Sequence, residues 1–372
     1  MNTRILEKIF TVNLGVDKDE RVLVFTDISE IETHDNVLTK AAELEEIAAL
    51  TAEVGKNHCK TQFLEFTAVD SHGSEPPEIV WKAAFGKNAV KELEWAGVLT
   101  SILNKVASEE QLKKATYIIE SYKEEAVDCI IALSSNSTSH TNFRKWLTGI
   151  AGTRYASMPL FETDMIVGVM TADWEAVAER TLRLKEMMSG GDSVHITARN
   201  GTDIRFSIKG QEVSADTGIL TEKGSFSNLP AGEAFLAPVE GTAKGKLVLN
   251  WAPTRELSSP ITLQVSKGMV TEIIGNEDHV AVLERAIEKH PLAANIAELG
   301  VGTNEKADRP NNILETEKIL GTIHIALGDN SSFGGTVIVP FHQDYVFYKS
   351  TLLIKKTDGE VVTILKDGEP QF

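Results

Sequence analysis

Residues 321–345 read GTIHIALGDNSSFGGTVIVPFHQDY and place three good metal ligands, His324, His342 and Asp344, within 21 positions. The first part, 322–327, is a short apolar run that suits a buried strand, and Gly328 ends it. Asp-Asn-Ser-Ser-Phe-Gly-Gly at 329–335 has turn chemistry, and 336–341 is a second β-branched run. The expectation is strand, loop, strand. His342 and Asp344 lie two apart on extended backbone, so their side chains take the same face. A sheet brings imidazole and carboxylate to one ion in this way. As bare letters, His-x-Asp also describes a surface pair flanking a hairpin.

Working back from this stretch, the chain from residue 193 on is β-rich with regular turns. VHITA, DIRFSIKG, EAFLAPVEG, GKLVLNW, PITLQVSKG and MVTEIIG alternate with period two and carry a Gly or Asp turn every 8–12 residues. Together with final strands at 346–355 and 360–366 and one helix at 279–290, they predict a β-rich, open barrel-like domain. The first 190 residues differ. Strands at 21–27, 61–66, 96–102, 127–133 and 154–159 alternate with helices at 36–53, 77–85, 111–125 and 173–189. That alternation predicts a doubly wound α/β domain with a parallel sheet. Ser189-Gly190-Gly191-Asp192 breaks the pattern, giving two domains, 1–190 and 191–372. The SSNSTSHT loop at 134–141 follows a strand and opens a helix, the usual ligand position in such sheets. It has no glycines to cradle a phosphate, so His140 reads as an ordinary loop residue.

Composition excludes several classes. The chain has 372 residues and a net charge of −17, which argues against nucleic acid and anionic membrane as partners. The start, MNTRILEKIFTVNLGVDKDE, reads as an amphipathic helix and not a leader, and no apolar run approaches the ~20 residues of a spanning helix. Two distant cysteines, Cys59 and Cys129, suggest buried thiols in a reducing, cytoplasmic setting.

Acids that complete a metal site come from the second half. Glu233 follows a Pro-Ala-Gly turn in NLPAGEAFLAP and enters an apolar strand. Glu298 is flanked by Ala297 and Leu299, and an acid in such a setting is rarely left unpaired, because burying a lone charge is costly. Each also reads as a turn or surface glutamate. Glu240, Glu315 and Glu317 are weaker candidates, with Glu317-Lys318 as a pair behind the ligands. Asp192, Asp203 and Asp216 could bind an amine, although each sits in turn-like sequence. Two histidines, two glutamates and an aspartate suit divalent ions that activate water for hydrolysis, with a carboxylate taking the proton.

NLPAGEAF, AELGVGTN, EKILGTIHIALG and PFHQD, in that order, resemble the M29 metallo-aminopeptidases of the aminopeptidase T and aminopeptidase S type. The resemblance implies a two-domain homodimer acting on peptides with two divalent ions, zinc, cobalt or manganese. Their ligands would be Glu233, Glu298, His324, His342 and Asp344, with Glu298 also the catalytic carboxylate. The family carries a catalytic tyrosine seven residues after the first histidine, where this chain has Ser331; Tyr345 is the nearest replacement in sequence. Losing such an oxyanion donor costs about 2.7–4 kcal/mol. The chain is also similar to the 2,5-dihydroxypyridine dioxygenases, which implies a mononuclear Fe(II) held by His324, His342 and Asp344. Loss of the tyrosine favours that alternative, and retention of both glutamates favours the hydrolase. A third expectation is a non-catalytic descendant that keeps only the fold.

Overall fold

All six residues 22–27 of the strand Arg21–Ile28 are buried, whichever face their side chains take. Such a run belongs in a parallel sheet covered on both sides. The computed structural model, which describes residues 3–28, 35–69 and 71–372, contains that sheet. Its strands run in the order Lys60–Thr67, Arg21–Ile28, Cys129–Ala132, Arg154–Ser157, Phe226–Asn228, every pairing parallel. Helices Asp35–Gly55, Glu78–Phe85, Glu109–Ser121 and Asn142–Trp146 alternate with the strands. Glu109–Ser121 starts with a capping box in which Ser108 and Gln111 satisfy each other's backbone N–H groups.

One expected strand is absent from this sheet. Residues 96–102 contain instead the short helix Leu99–Leu103, whose buried side chains, Leu99 and Ile102, are three apart as on one helix face. The amphipathic start forms the helix Thr3–Lys8 and a π-helical turn Ile9–Asn13; residues 1–2 lie outside the described residues. The 134–141 loop is tied down by its neighbours. Asp27 accepts from the Ser135 and Asn136 N–H groups, and Glu75 caps the following helix at Asn142 and Phe143. Cys59 and Cys129 are buried and free, and burial pushes the Cys129 thiol up to about 12, which leaves it unreactive.

The chain divides into two compact units, Met1–Trp174 with Gly218–Pro230, and Glu175–Thr217 with Ala231–Phe372. A single border near residue 190 misses the return of Gly218–Pro230, because the strand Phe226–Asn228 has three residues and shows no readable period.

The second unit holds two antiparallel sheets, of eight and five strands. Side chains from both build one core, including Ile196, Leu249 and Ile354 from the larger sheet and Leu236, Leu299, Ile325 and Tyr345 from the smaller. Two strand expectations are corrected here. Residues 336–341 are not a strand; the strand His342–Phe347 begins where they end. The side chains of Asp329, Asn330 and Glu240 capture the backbone N–H groups of Val339, Val337 and Thr336 that a ladder would need. The final run 346–355 is broken at Lys349, whose φ of 51° turns the chain into the strand Ser350–Lys356. Among the described residues no helix is long and apolar enough to cross a membrane.

Candidate metal centre

The smaller sheet runs His342–Phe347, Ile323–Gly328, Ile296–Gly302, Glu233–Leu236, Ser214–Asp216. Residues paired directly across an antiparallel ladder point to the same side. His324 pairs with Gly300, and Gly300 with Phe235; Glu298 pairs with Ala326, and Ala326 with Asp344. Glu233 pairs with Gly302 and with Asp216, and His342 with Gly328. All five expected ligands therefore share one face. Their alternates Leu299, Ile325 and Tyr345 enter the core. The small residues Gly300, Gly302, Ala326 and Gly328 leave this face open for the larger ones.

The charged atoms form a line of alternating sign. The Lys318 ammonium lies 2.6 Å from Glu233 Oε1, and Glu233 Oε2 lies 3.2 Å from His324 Nε2. Glu298 spans the two imidazoles, with Oε1 3.5 Å from His324 Nε2 and Oε2 3.4 Å from His342 Nε2. His342 Nε2 then lies 3.5 Å from Asp344 Oδ2. Charge-assisted hydrogen bonds are shorter, about 2.7–2.9 Å. Spacings of 3.4–3.5 Å match those of neighbouring ligand atoms around one ion at tetrahedral angles, where metal bonds of about 2.0–2.2 Å separate the atoms by about 3.3–3.6 Å. Glu298, His342 and Asp344 offer ligand atoms all within 4.8 Å of one another. His324 joins them through Glu298.

Electrostatics agree with a cation in this place. Burial alone would raise the Glu298 carboxyl, but His324 and His342 hold it below its ordinary range. Burial pulls His324 down, yet Glu298, Glu233 and Glu317 outweigh it and push the imidazole up to about 9. His342 is held well above its ordinary value against burial, by Asp344 and Glu298. Asp344, in spite of burial, is held well below the carboxylate range by His342. In the metal-free chain, protons on the imidazoles thus supply the positive charge that the carboxylates demand. Glu317 differs: burial and the Asp344 charge push it up to about 8.

Unmet polar atoms make the fit to a metal specific. Glu233 Oε2, Asp344 Oδ1 and His324 Nδ1 are buried and have no hydrogen-bond partner. Two of these are carboxylate oxygens that a cation would satisfy. His342 Nδ1 lies 2.7 Å from the Asp329 carbonyl, so it donates there and leaves Nε2 free to ligate. Two imidazoles with carboxylates and no thiolate suit an exchangeable divalent ion, ferrous iron included. Access is from the His342 side, where the side chain is 28% exposed, against 1% for His324.

The remaining expectations sort by position. Ser331 Oγ is bonded to Asp329, and Tyr345 points to the opposite face, where its hydroxyl meets His279 Nε2 at 2.9 Å. Tyr345 therefore faces away from the candidate ligands, and the Ser331 hydroxyl is taken up by its own loop. Glu240 and Glu315 cap loop backbone, Asp203 pairs with His195, and Asp192 with Lys209. Three residues escaped the sequence reading. Gly300 makes room for His324, and Phe235 and Phe333 form an edge-to-face pair at 5.7 Å, with Phe333 also edge-on to His342 at 5.9 Å. The alternation Glu233-x-Phe235 was the available signal for Phe235. A groove of about 510 Å³ lined by His195, Arg205, Lys244 and Lys355 lies on the larger sheet and contains none of the metal-centre residues.

Comparison with known proteins gives a family. The family model described as NicX: 2,5-dihydroxypyridine 5,6-dioxygenase matches residues 31–370. The 2,5-dihydroxypyridine 5,6-dioxygenase of Pseudomonas putida KT2440 is 25% identical over 182 residues, covering 44% of this chain. That match spans 51% of the relative's length. The solved structure of 2,5-dihydroxypyridine dioxygenase from Pseudomonas putida KT2440 aligns with a TM-score of 0.69 at 17% identity, over 99% of this chain and 96% of that one. Wild-type AmpT from Thermus thermophilus aligns with a TM-score of 0.55 at 15% identity, over the whole of both chains. At such identities the two structures establish the mixed α/β and β-rich fold.

Proposed function

The chain belongs to the 2,5-dihydroxypyridine 5,6-dioxygenase family, and from that premise we propose that it is a metal-dependent dioxygenase that opens a dihydroxylated aromatic ring. The observation that carries this reading is the set of His324, His342 and Asp344 on one sheet face, beside the Phe235–Phe333 pair. These three would hold one ferrous ion; His342 and Asp344 already gather with Glu298 within 4.8 Å, and His324 faces the other oxygen of Glu298 at 3.5 Å. Bound there, the ion would supply the redox chemistry that lets dioxygen react with an electron-rich ring.

The chain's own residues supply the rest. Asp329 fixes the His342 tautomer through Nδ1. Phe333 and Phe235 offer a wall against which a planar ring packs in offset or edge-on geometry, worth about 0.5–1.5 kcal/mol beyond its area burial. Glu298 and Asp344, both held below their ordinary range by the imidazoles, give the site the negative charge that favours a cation over a neutral occupant.

A second reading, a dinuclear aminopeptidase with zinc, cobalt or manganese, is favoured by one observation. Glu298 faces both imidazoles, and Glu233 and Asp344 flank them, as a bridged pair of ions would require. Against it stand the placements of Ser331 and Tyr345. The deciding experiment is oxygen uptake by chain loaded anaerobically with Fe(II), using dihydroxylated pyridines and benzenes. The ring-opening reading expects both atoms of labelled dioxygen in the product. Release of amino-terminal residues from peptides, with no oxygen uptake on any ring, would overturn it.

A further inference from the structure

Lys318 is the fully buried cation of this site: its side chain is 0% exposed. Burying an ammonium is costly unless acids meet it, so its position is set by its partners. Two carboxylates do so, Glu233 Oε1 at 2.6 Å and Glu317 Oε2 at 3.2 Å. The backbone holds it in place. A Cβ on Gly302 would lie 2.2 Å from the Ile319 carbonyl oxygen and 2.8 Å from that of Glu317, so residues 317–319 lie directly on the glycine of the Glu298 strand. The Asn304 N–H donates to the Lys318 carbonyl at 2.9 Å. A side chain there would lift the segment, and the ammonium with it, off the sheet.

The consequence concerns Glu233. In a two-ion site that carboxylate must be open to a second cation beside His324. Here one of its oxygens is committed to the ammonium, and the other faces His324 Nε2 at 3.2 Å. A divalent ion brought to the same carboxylate would be repelled by the fixed positive charge, in a setting where water screens little. We propose that Lys318 takes the place of a second metal ion beside Glu233, and that this ammonium is what confines the face to the single divalent ion that the dioxygenase resemblance implies. The inference rests on the reading of this face as a metal centre and adds the residue that limits it to one ion. It also reconciles the retained glutamates with a single ion: Glu233 is the counter-charge of Lys318.

The test counts ions. Wild-type chain, Lys318→Gln and Lys318→Arg are stripped with chelator and saturated with Mn(II). Bound metal is measured by elemental analysis after dialysis, and electron paramagnetic resonance separates isolated from spin-coupled manganese. Circular dichroism checks the fold. The expected result is one isolated ion in wild type and in Lys318→Arg, and a second ion with a coupled signal in Lys318→Gln. Two ions in wild type, or one ion in folded Lys318→Gln, would overturn the proposal. Should Lys318→Gln fail to fold, Glu233→Gln decides: one bound ion, as in wild type, supports Glu233 as the counter-charge of Lys318, and loss of the ion makes Glu233 a ligand and overturns the proposal. A wild-type chain that binds no Mn(II) and no Fe(II) sinks the metal-centre reading itself, an outcome distinct from a count of two.

Discussion

Substituting Gly300 by alanine attacks the metal centre without touching a ligand. An ideal Cβ at Gly300 lies 2.0 Å from His324 Nε2, 2.1 Å from Cε1 and 2.9 Å from Cδ2. Comfortable contacts between such atoms are about 3.5–4.0 Å, so the ring must retreat by about 1.5 Å. Metal bonds tolerate about 0.2 Å. One imidazole is thereby withdrawn, and the expected loss of metal affinity is about 100-fold or more, equal to about 2.7 kcal/mol, since even a lost supporting partner costs 10–100-fold. Gly300 has no left-handed φ, so the backbone itself accepts alanine. Overpacking then costs about 1–3 kcal/mol of stability, which leaves a folded chain. Competition with a chromophoric chelator measures the affinity, with His324→Ala as the benchmark and Gly149→Ala, where an added Cβ meets nothing within 4 Å, as the control. If Gly300→Ala binds Fe(II) as tightly as wild type, His324 is not a ligand in the position described.

The pH dependence of the metal-free chain has a definite sign. Both imidazole pKa values lie above the ordinary histidine value, His324 at about 9, so their ion pairs stabilise the fold fully below about pH 6.5 and that contribution is lost as pH rises through about 9. Metal-loaded chain, whose imidazoles are already neutral ligands, shows no such decline, and calorimetry of both forms across this window checks it. Phe333→Ala should raise KM for a ring substrate by about 2–10-fold at unchanged metal affinity, measured by steady-state oxygen uptake. Tyr345→Phe should spare turnover and cost about 1 kcal/mol in denaturant unfolding, because its hydroxyl serves His279 and Gln343 on the far face. The homodimer, proposed from sequence resemblance alone, predicts twice the chain mass in light scattering, and a monomeric mass removes it.

The sequence was most legible where one period held for a whole element. Buried runs such as VLVFTD at 22–27 and CIIA at 129–132 announced the parallel sheet, and His342-x-Asp344 announced a shared face. It was least legible where side chains override local propensity. The β-branched run 336–341 looks like a strand, yet Asp329, Asn330 and Glu240 take its backbone donors, and two of those acids and amides precede it by only a few residues. Tyr345 looked like a candidate for the missing tyrosine because it adjoins Asp344. Strand alternation forbids it, since adjacent side chains take opposite faces.

By itself the sequence determined the order of the parts, an α/β half and a β-rich half, and offered five candidate donors in four short motifs. These depend on local spacing and residue chemistry, which are written along the chain. Only the tertiary structure decided that Glu233, Glu298 and His324 share one sheet face with His342 and Asp344, that Gly300 opens the room for an imidazole, and that Lys318 lies against Glu233, 85 residues away. Register between strands distant in sequence fixes all three. It is set by the whole apolar face packing into the core, a sum over many residues that no single motif carries.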